Sequence, residues 1–228
     1  ILQTSYMKQT FAIIIMAFAF AWQMNCVAQD CNPCGVYTNS EGKTDTITSA
    51  QGFSGSAPLT VTFKANPPTS IDPATHFEWH FGEQGNRTMS IRYEADTQYT
   101  FNAAGTFAMR LYEILNGDTI NIYDPITVTI SESELQMPNA FSPNGDGVND
   151  VYKAKSGYKS IIEFRAVIFN RWGQKIYEWN DPSGGWDGTF QGHAVPDGTY
   201  FVNVMAKGAD GRVFKIKRDV NLLRSYIE

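Results

Sequence analysis

The sequence predicts an all-β protein of two small sandwich domains behind a leader for export. Three observations carry this. Between residues 49 and 222 every long segment with apolar periodicity has period two, the signature of a half-buried strand. The 19 Gly and 10 Pro fall between short runs rich in β-branched and aromatic residues. Beyond the leader, no segment has a convincing helical period. A chain of 228 residues accommodates two small domains or one large one. Hydrophobic residues at 43% and aromatics at 14% supply enough apolar area to exclude disorder over most of it. The net charge of −5, with no dense Lys/Arg run, argues against nucleic acid as a partner.

The leader occupies residues 1–28. Lys8 follows Met7, and the apolar run Phe11 to Trp22 leads to a short patch ending in Asn25-Cys26-Val27-Ala28. Charged, apolar and cleavage regions in that order describe a secretory signal peptide, with translation starting at Met7 and cleavage near Ala28. The competing reading is a membrane anchor, but the run has 12 residues, against roughly 20 for a bilayer span. Gln23-Met24-Asn25-Cys26 is a poor lipobox. The mature chain is therefore expected to lack a transmembrane segment.

Residues 29–48 are polar and read as a linker or lead-in strand. Within them, Cys31 and Cys34 form a Cys-x-x-Cys pair, expected in an exported chain as a small disulfide loop or as inert thiols. Redox or zinc chemistry would need a following helix or two more ligands, and neither is visible. Residues 49–131 read as the first β domain. Leu59, Val61 and Phe63 alternate with Thr60 and Thr62, and Phe77, Trp79 and Phe81 alternate again. Phe107, Met109 and Leu111 follow, then Asn116-Gly117-Asp118 as a hairpin turn and a returning strand over 119–130. Ala57-Pro58-Leu59-Thr60-Val61-Thr62-Phe63, Trp79-His80-Phe81-Gly82, Tyr99-Thr100-Phe101 and Ala104-Gly105-Thr106-Phe107 resemble a PKD domain, an immunoglobulin-like module of surface proteins. The usual Trp-Asp-Phe-Gly-Asp-Gly is replaced by Trp79-His80-Phe81-Gly82-Glu83-Gln84. A cation site there loses its support.

Residues 132–136 read as a junction and 137–228 as the second domain. Ile162, Phe164, Ala166 and Ile168 define one strand, Tyr200, Val202, Val204 and Ala206 another, and Phe214, Ile216, Val220 and Leu222 the last. Four motifs lie along this domain. The first runs from Pro138 to Asp150 and contains Phe141, Pro143, Asn144, Gly145, Asp146, Gly147, Asn149 and Asp150. The second is Asn170-Arg171-Trp172-Gly173, the third Trp186-Asp187-Gly188, and the fourth Pro196-Asp197-Gly198-Thr199-Tyr200, with a last strand ending at Arg224. In this order they closely resemble the gliding-motility-associated C-terminal domain, the type B sorting domain of the type IX secretion system of Bacteroidetes. With the PKD-like module, the resemblance implies two tandem immunoglobulin-like β-sandwiches after the signal peptide. Each motif also has a structural reading: Gly173 and Gly198 at turns, Trp172 and Trp186 as core or edge aromatics, Asp187 bonded to its own turn.

The loop Asn144 to Asp150 is the best ligand candidate. Asn144, Asp146, Asn149 and Asp150 offer the hard oxygen ligands Ca²⁺ requires, yet the spacing lacks the closing Glu of an EF-hand. The competing reading is a turn stapled by Asx side chains. No other cofactor is indicated. Enzyme signatures fail: His76 and His80 in a strand stand about 13 Å apart, His193 is isolated, Gly52 to Ser56 misses the nucleophile elbow, and phosphate-loop and zincin motifs are absent.

The expected function is that of a non-enzymatic, exported cell-surface protein. The resemblance implies that its C-terminal domain engages the type IX outer-membrane machinery. The PKD-like domain would serve as a spacer or interaction module for adhesion, gliding or envelope structure, with a surface glycan or protein as ligand. The alternative is a carbohydrate-binding accessory protein or a fragment of a secreted polysaccharide-degrading enzyme, gripping glycan through Trp79, Trp179 or Trp186.

Overall fold

The computed structural model describes residues 30–39, 42–84 and 88–224. The leader and its expected cleavage point lie outside the described residues. Among those described there are strands and no helix, and hence no helix long and apolar enough to cross a membrane.

The first unit contains β1 (Cys34–Thr38), β2 (Thr44–Ile47), β3 (Phe53–Gly55), β4 (Leu59–Lys64), β5 (Thr75–Glu83), β6 (Thr88–Arg92), β7 (Asp96–Phe101), β8 (Gly105–Leu115), β9 (Asp118–Ile122) and β10 (Ile126–Ile130). One sheet has the order β2-β1-β4-β7; the other runs β3-β10-β8-β5-β6, with β9 beside β8. The alternating residues do what their period requires. Val61, Phe63, Trp79, Phe81, Met109 and Leu111 all point into the space between the sheets and are buried. Phe63 lies at its centre, 5.6 Å from Trp79 and 5.5 Å from Phe81 between ring centroids. Trp79 is wholly buried and donates its indole N–H to the carbonyl of Ala95 at 3.2 Å.

Two expectations are refined here. Of the linker and lead-in-strand readings of 29–48, the described residues take the strand: β1 pairs with β4 from Cys34↔Lys64 to Val36↔Thr62, and β2 extends the same sheet. Ile47 and Cys31 enter the core. Their burial depends on a distant partner sheet, so the local sequence shows little of it. The strand expected over 119–130 is two. Asn116 and Gly117 form the hairpin turn, both at positive φ (53° and 92°). Pro125 then separates β9, which pairs with one half of β8, from β10, which pairs with the other.

The second unit contains β11 (Ala140–Phe141), β12 (Tyr152–Lys153), β13 (Ile161–Phe169), β14 (Lys175–Trp179), β15 (Gly185–Trp186), β16 (Thr189–Phe190), β17 (His193–Ala194), β18 (Gly198–Gly208) and β19 (Val213–Leu222). Five strands make one sheet, β11-β19-β18-β13-β14. Its covering layer is short, consisting of the ribbons β12-β15 and β16-β17 with their loops. The inner face presents Phe164, Ala166, Ile168, Tyr200, Val202, Val204 and Val220 to Phe141, Tyr152 and Trp186.

The stretch 132–136 is a built joint, and the second core already begins at Leu135. A register shift between Ile161 and Glu163 turns Ile162 out of its own core and against that of the first unit, where Ala209 joins it. Buried Ser160 receives the amide of Ala57 at 3.2 Å and bonds the Ser131 hydroxyl at 3.0 Å. Ser133 donates its hydroxyl to Asp210 at 2.6 Å and its amide to the same carboxylate at 3.1 Å. Gly208 makes this approach possible, since a Cβ there would lie 2.1 Å from Ser133 Oγ.

The Ser133 hydroxyl, with the amides of Arg212 and Ser133, holds the Asp210 carboxyl down from its ordinary 3.8 to about 2. A depressed carboxylate stabilises the fold above its unfolded value and loses that contribution as pH falls through its folded value. The Asp210 contribution to the joint should therefore hold at pH 5 and above and be lost between about pH 4 and pH 2. Limited proteolysis with an acid protease across that range should show cleavage at 131–136 rising only below about pH 4. Ser133→Ala should move the onset upward.

Candidate functional site

The four motifs of the second unit, spread over residues 138–200, are adjacent at one end of the five-stranded sheet. Phe141, from the first motif, lies on β11 beside the last strand through Phe141↔Leu222. Its ring is 5.3 Å from that of Trp186, which sits 5.0 Å, edge-on, from Tyr200. First, third and fourth motifs thus share one aromatic stack. Trp186 is fully buried and donates its indole N–H to the Thr189 carbonyl at 2.7 Å; Tyr200 donates its hydroxyl to the Pro196 carbonyl at 2.7 Å. Each polar tip is satisfied, as burial of these residues requires.

Arg224 ties the ends together. Its guanidinium donates to the Gly188 carbonyl at 2.8 Å, to the Val195 carbonyl and to Asp197 Oδ1 at 3.0 Å, while its amide reaches Asp197 Oδ2 at 2.9 Å. Gly188, at φ 79°, is where the third motif meets the others. A Cβ there would sit 3.0 Å from Arg224 Nη2, 3.1 Å from Leu222 and 3.1 Å from Pro143. A side chain there would press on all three neighbours and strain the backbone.

The loop Asn144 to Asp150 spends its oxygens on itself. Asp150 accepts the amides of Gly145 at 2.7 Å and Gly147 at 2.8 Å, which hold its carboxyl below the usual value. Asp146 accepts the amide of Val148 at 2.8 Å and the side-chain amide of Asn144 at 2.8 Å, and Asn144 accepts the amide of Asp146 at 3.0 Å. Asn149 turns the chain at φ 53°. The side-chain oxygens of Asn144, Asp146 and Asp150 face N–H groups of their own loop, which favours the stapled turn over calcium. Among the described residues no group of three or more His, Cys, Asp or Glu is placed to hold a metal.

Cys31 and Cys34 are separate thiols in the structure, the second of the two states expected for the pair. Cys31 is buried beside Tyr123, whose hydroxyl receives the Cys31 amide at 3.1 Å. Cys34 accepts the side-chain amide of Asn66 at 3.3 Å. Burial raises the Cys31 thiol above its ordinary value, the opposite of a reactive thiolate. The glycan-gripping role of Trp79, Trp179 and Trp186 fails for a simpler reason: all three are buried.

Gly173 and Gly198 do adopt positive φ, and Asp187 bonds its own turn through the Thr189 amide at 3.0 Å and hydroxyl at 2.7 Å. Trp172 is the exception among the motif aromatics, being 75% exposed. It stands on the β13–β14 turn beside a cleft of about 180 Å³ whose other wall is Pro196 to Tyr200. Sequence reasoning placed Trp172 in the core or at its edge because large aromatics are usually found there. Its position two residues after Asn170, within a turn, was the available signal.

Arg224→Ala should destabilise the second unit by about 2–3 kcal/mol, because two carbonyls and a carboxylate lose their donor. Arg224→Lys should recover less than half of this, since a single ammonium cannot reach three acceptors from one plane. Chemical denaturation of both variants measures the difference. For the loop, Asp150→Ala should expose 144–150 to protease, whereas Ca²⁺ at about 1 mM should leave the melting temperature of the unaltered chain where it was. A shift on adding Ca²⁺ would restore the cation reading.

No curated protein matches the chain. Among solved structures, chicken CNTN1 FN1–FN3 domains align with 10% identity over 75% of this chain and 65% of that one, at a TM-score of 0.28. Fibronectin(III)-like modules of Clostridium thermocellum CbhA align at 16% identity over 75% and 86%, TM-score 0.25. A tetra-tandem repeat from the extending region of a large adhesion protein aligns at 11% over 86% and 68%, TM-score 0.27. This chain therefore spans just under two thirds of the CNTN1 fragment. Residues 135–215, which take in all four motifs, match the CHU_C Type IX secretion signal domain.

Proposed function

We propose that the chain is a non-catalytic surface protein whose second unit is read, as a folded object, by the type IX outer-membrane machinery. Its first unit is the delivered module, a PKD-like spacer or binding domain acting in adhesion, gliding or envelope structure. The observation that carries this reading is the convergence of the four motifs on one end of the sheet, held by Trp186 and Arg224. The supporting family match is to a secretion signal, which implies export and a surface or secreted destination.

The joint at Ser133 and Ser160 fits the same reading, since it presents the signal at a fixed angle to its cargo. Most of the first unit's aromatic mass is spent on its core, around Phe63 and Trp79. His80, the residue in place of the usual acidic one, bonds Glu78 at 3.1 Å and lies 4.1 Å from the Tyr112 ring.

The test is export of the full chain in a Bacteroidetes strain with and without a working type IX system. Surface exposure is read by protease treatment of intact cells. The chain should be cleaved from outside only in the competent strain, and deletion of 135–224 should strand it in the periplasm. Equal localisation in both strains, or export unaffected by the deletion, would overturn the reading.

A further inference from the structure

Trp172 is the most exposed large hydrophobic side chain among the described residues. Water contact on three quarters of an indole is unfavourable, and Trp is among the residues most enriched at the centres of binding interfaces. Its mount is rigid. Asn170 Oδ1 accepts the amides of Trp172 and Gln174, both at 3.0 Å, and the Asn170 side-chain amide donates to Gln174 Oε1 at 3.0 Å. Backbone bonds Asn170 N–H to Gln174 and Gly173 N–H to Asn170, each 3.0 Å, close the turn. Nothing in this arrangement needs a large aromatic at the tip, because every bond is made by Asn170, Gln174 or the main chain.

Arg171 adds a second feature. Its guanidinium lies 4.4 Å from the Trp172 ring centroid. Among the described residues it forms no salt bridge, as is true of most Lys and Arg of this unit, of which Arg165, Lys175, Lys207 and Arg224 are paired. Residues 135–224 carry twelve Lys and Arg against nine Asp and Glu. Of the other exposed apolar side chains of this unit, Phe201 pairs with Phe169 directly before this turn, while Met205 lies farther along the open sheet face, opposite Arg165 and Lys215.

We infer that Trp172 is the anchor by which the second unit docks: its indole enters an apolar socket on an outer-membrane protein of the secretion machinery, and Arg171 meets a carboxylate on the socket's rim. The inference rests on the sorting function proposed above. A preformed aromatic anchor loses little conformational entropy on binding, which is why rigid Trp residues dominate interface energetics. The cationic neighbour supplies charge complementarity, which favours an acidic rim.

The test uses the full chain in the type IX-competent strain, with Trp172→Ala, Arg171→Glu and, as a control on the open sheet face, Met205→Ser. Trp172→Ala and Arg171→Glu should each lower the surface-exposed fraction about tenfold and raise the periplasmic one. The purified variants should melt within about 2 °C of the unaltered chain. Met205→Ser should export normally. Surface display of Trp172→Ala and Arg171→Glu at the unaltered level would overturn the anchor while leaving the sorting function standing. If Trp172→Ala fails to fold, Arg171→Glu decides alone. Failure of the unaltered chain to appear at the surface would instead overturn the sorting function, and the anchor with it.

Discussion

The second unit depends on the burial of Trp186. Two-residue ribbons such as β12-β15 and β16-β17 cannot hold themselves together, because so few ladder bonds do not offset the entropy of ordering them. Trp186 supplies what they lack. It joins Phe141 on one side and Tyr200 on the other, so that the covering layer is fastened to the sheet by an aromatic stack. Tyr152 extends the layer, packing 5.8 Å from Phe141 and donating its hydroxyl to the Pro138 carbonyl at 3.0 Å. The motif residues are therefore mostly architecture, and the part left over for recognition is small. It consists of what the architecture pushes outward, with Trp172 foremost.

Much of this was legible in the sequence, for an identifiable reason. Strands such as Leu59 to Phe63 and Tyr200 to Ala206 have one wet and one dry face, so their alternation records the fold directly. Asn116-Gly117 declared its turn because both positions need positive φ. What escaped was set by distant partners. β1 and β2 carry only Val36, Tyr37 and Ile47 among polar neighbours, and their place is fixed by pairing with β4. Ile162 continued the apparent alternation, but a one-residue irregularity gave it to the other unit. The carboxylates of Asp146 and Asp150 looked like ligands by type; only coordinates reveal that the nearest donors are their own loop's amides.

The two units also differ in charge. Residues 30–134 carry five Lys and Arg against thirteen Asp and Glu, the reverse of the balance in 135–224. Opposite signs on docked neighbours attract, and this adds to the hydrogen bonds of Ser133 and Ser160 at the joint without replacing them. Screening by salt weakens the long-range attraction but hardly touches the buried serine contacts. The joint should thus keep its angle across the ionic strengths met outside a cell.

The pairing of β11 with β19 has a consequence for timing. Ala140 and Phe141 open the unit, yet their partners Asn221 and Leu222 are made about eighty residues later, and Arg224 later still. Until those residues are available the first motif has no strand to lie against and Gly188 has no guanidinium to face. A copy that stops short of residue 221 cannot assemble this end of the sheet, whatever its earlier motifs. Read as a label, the fold certifies its own completeness: the address becomes legible only once the whole message has been written.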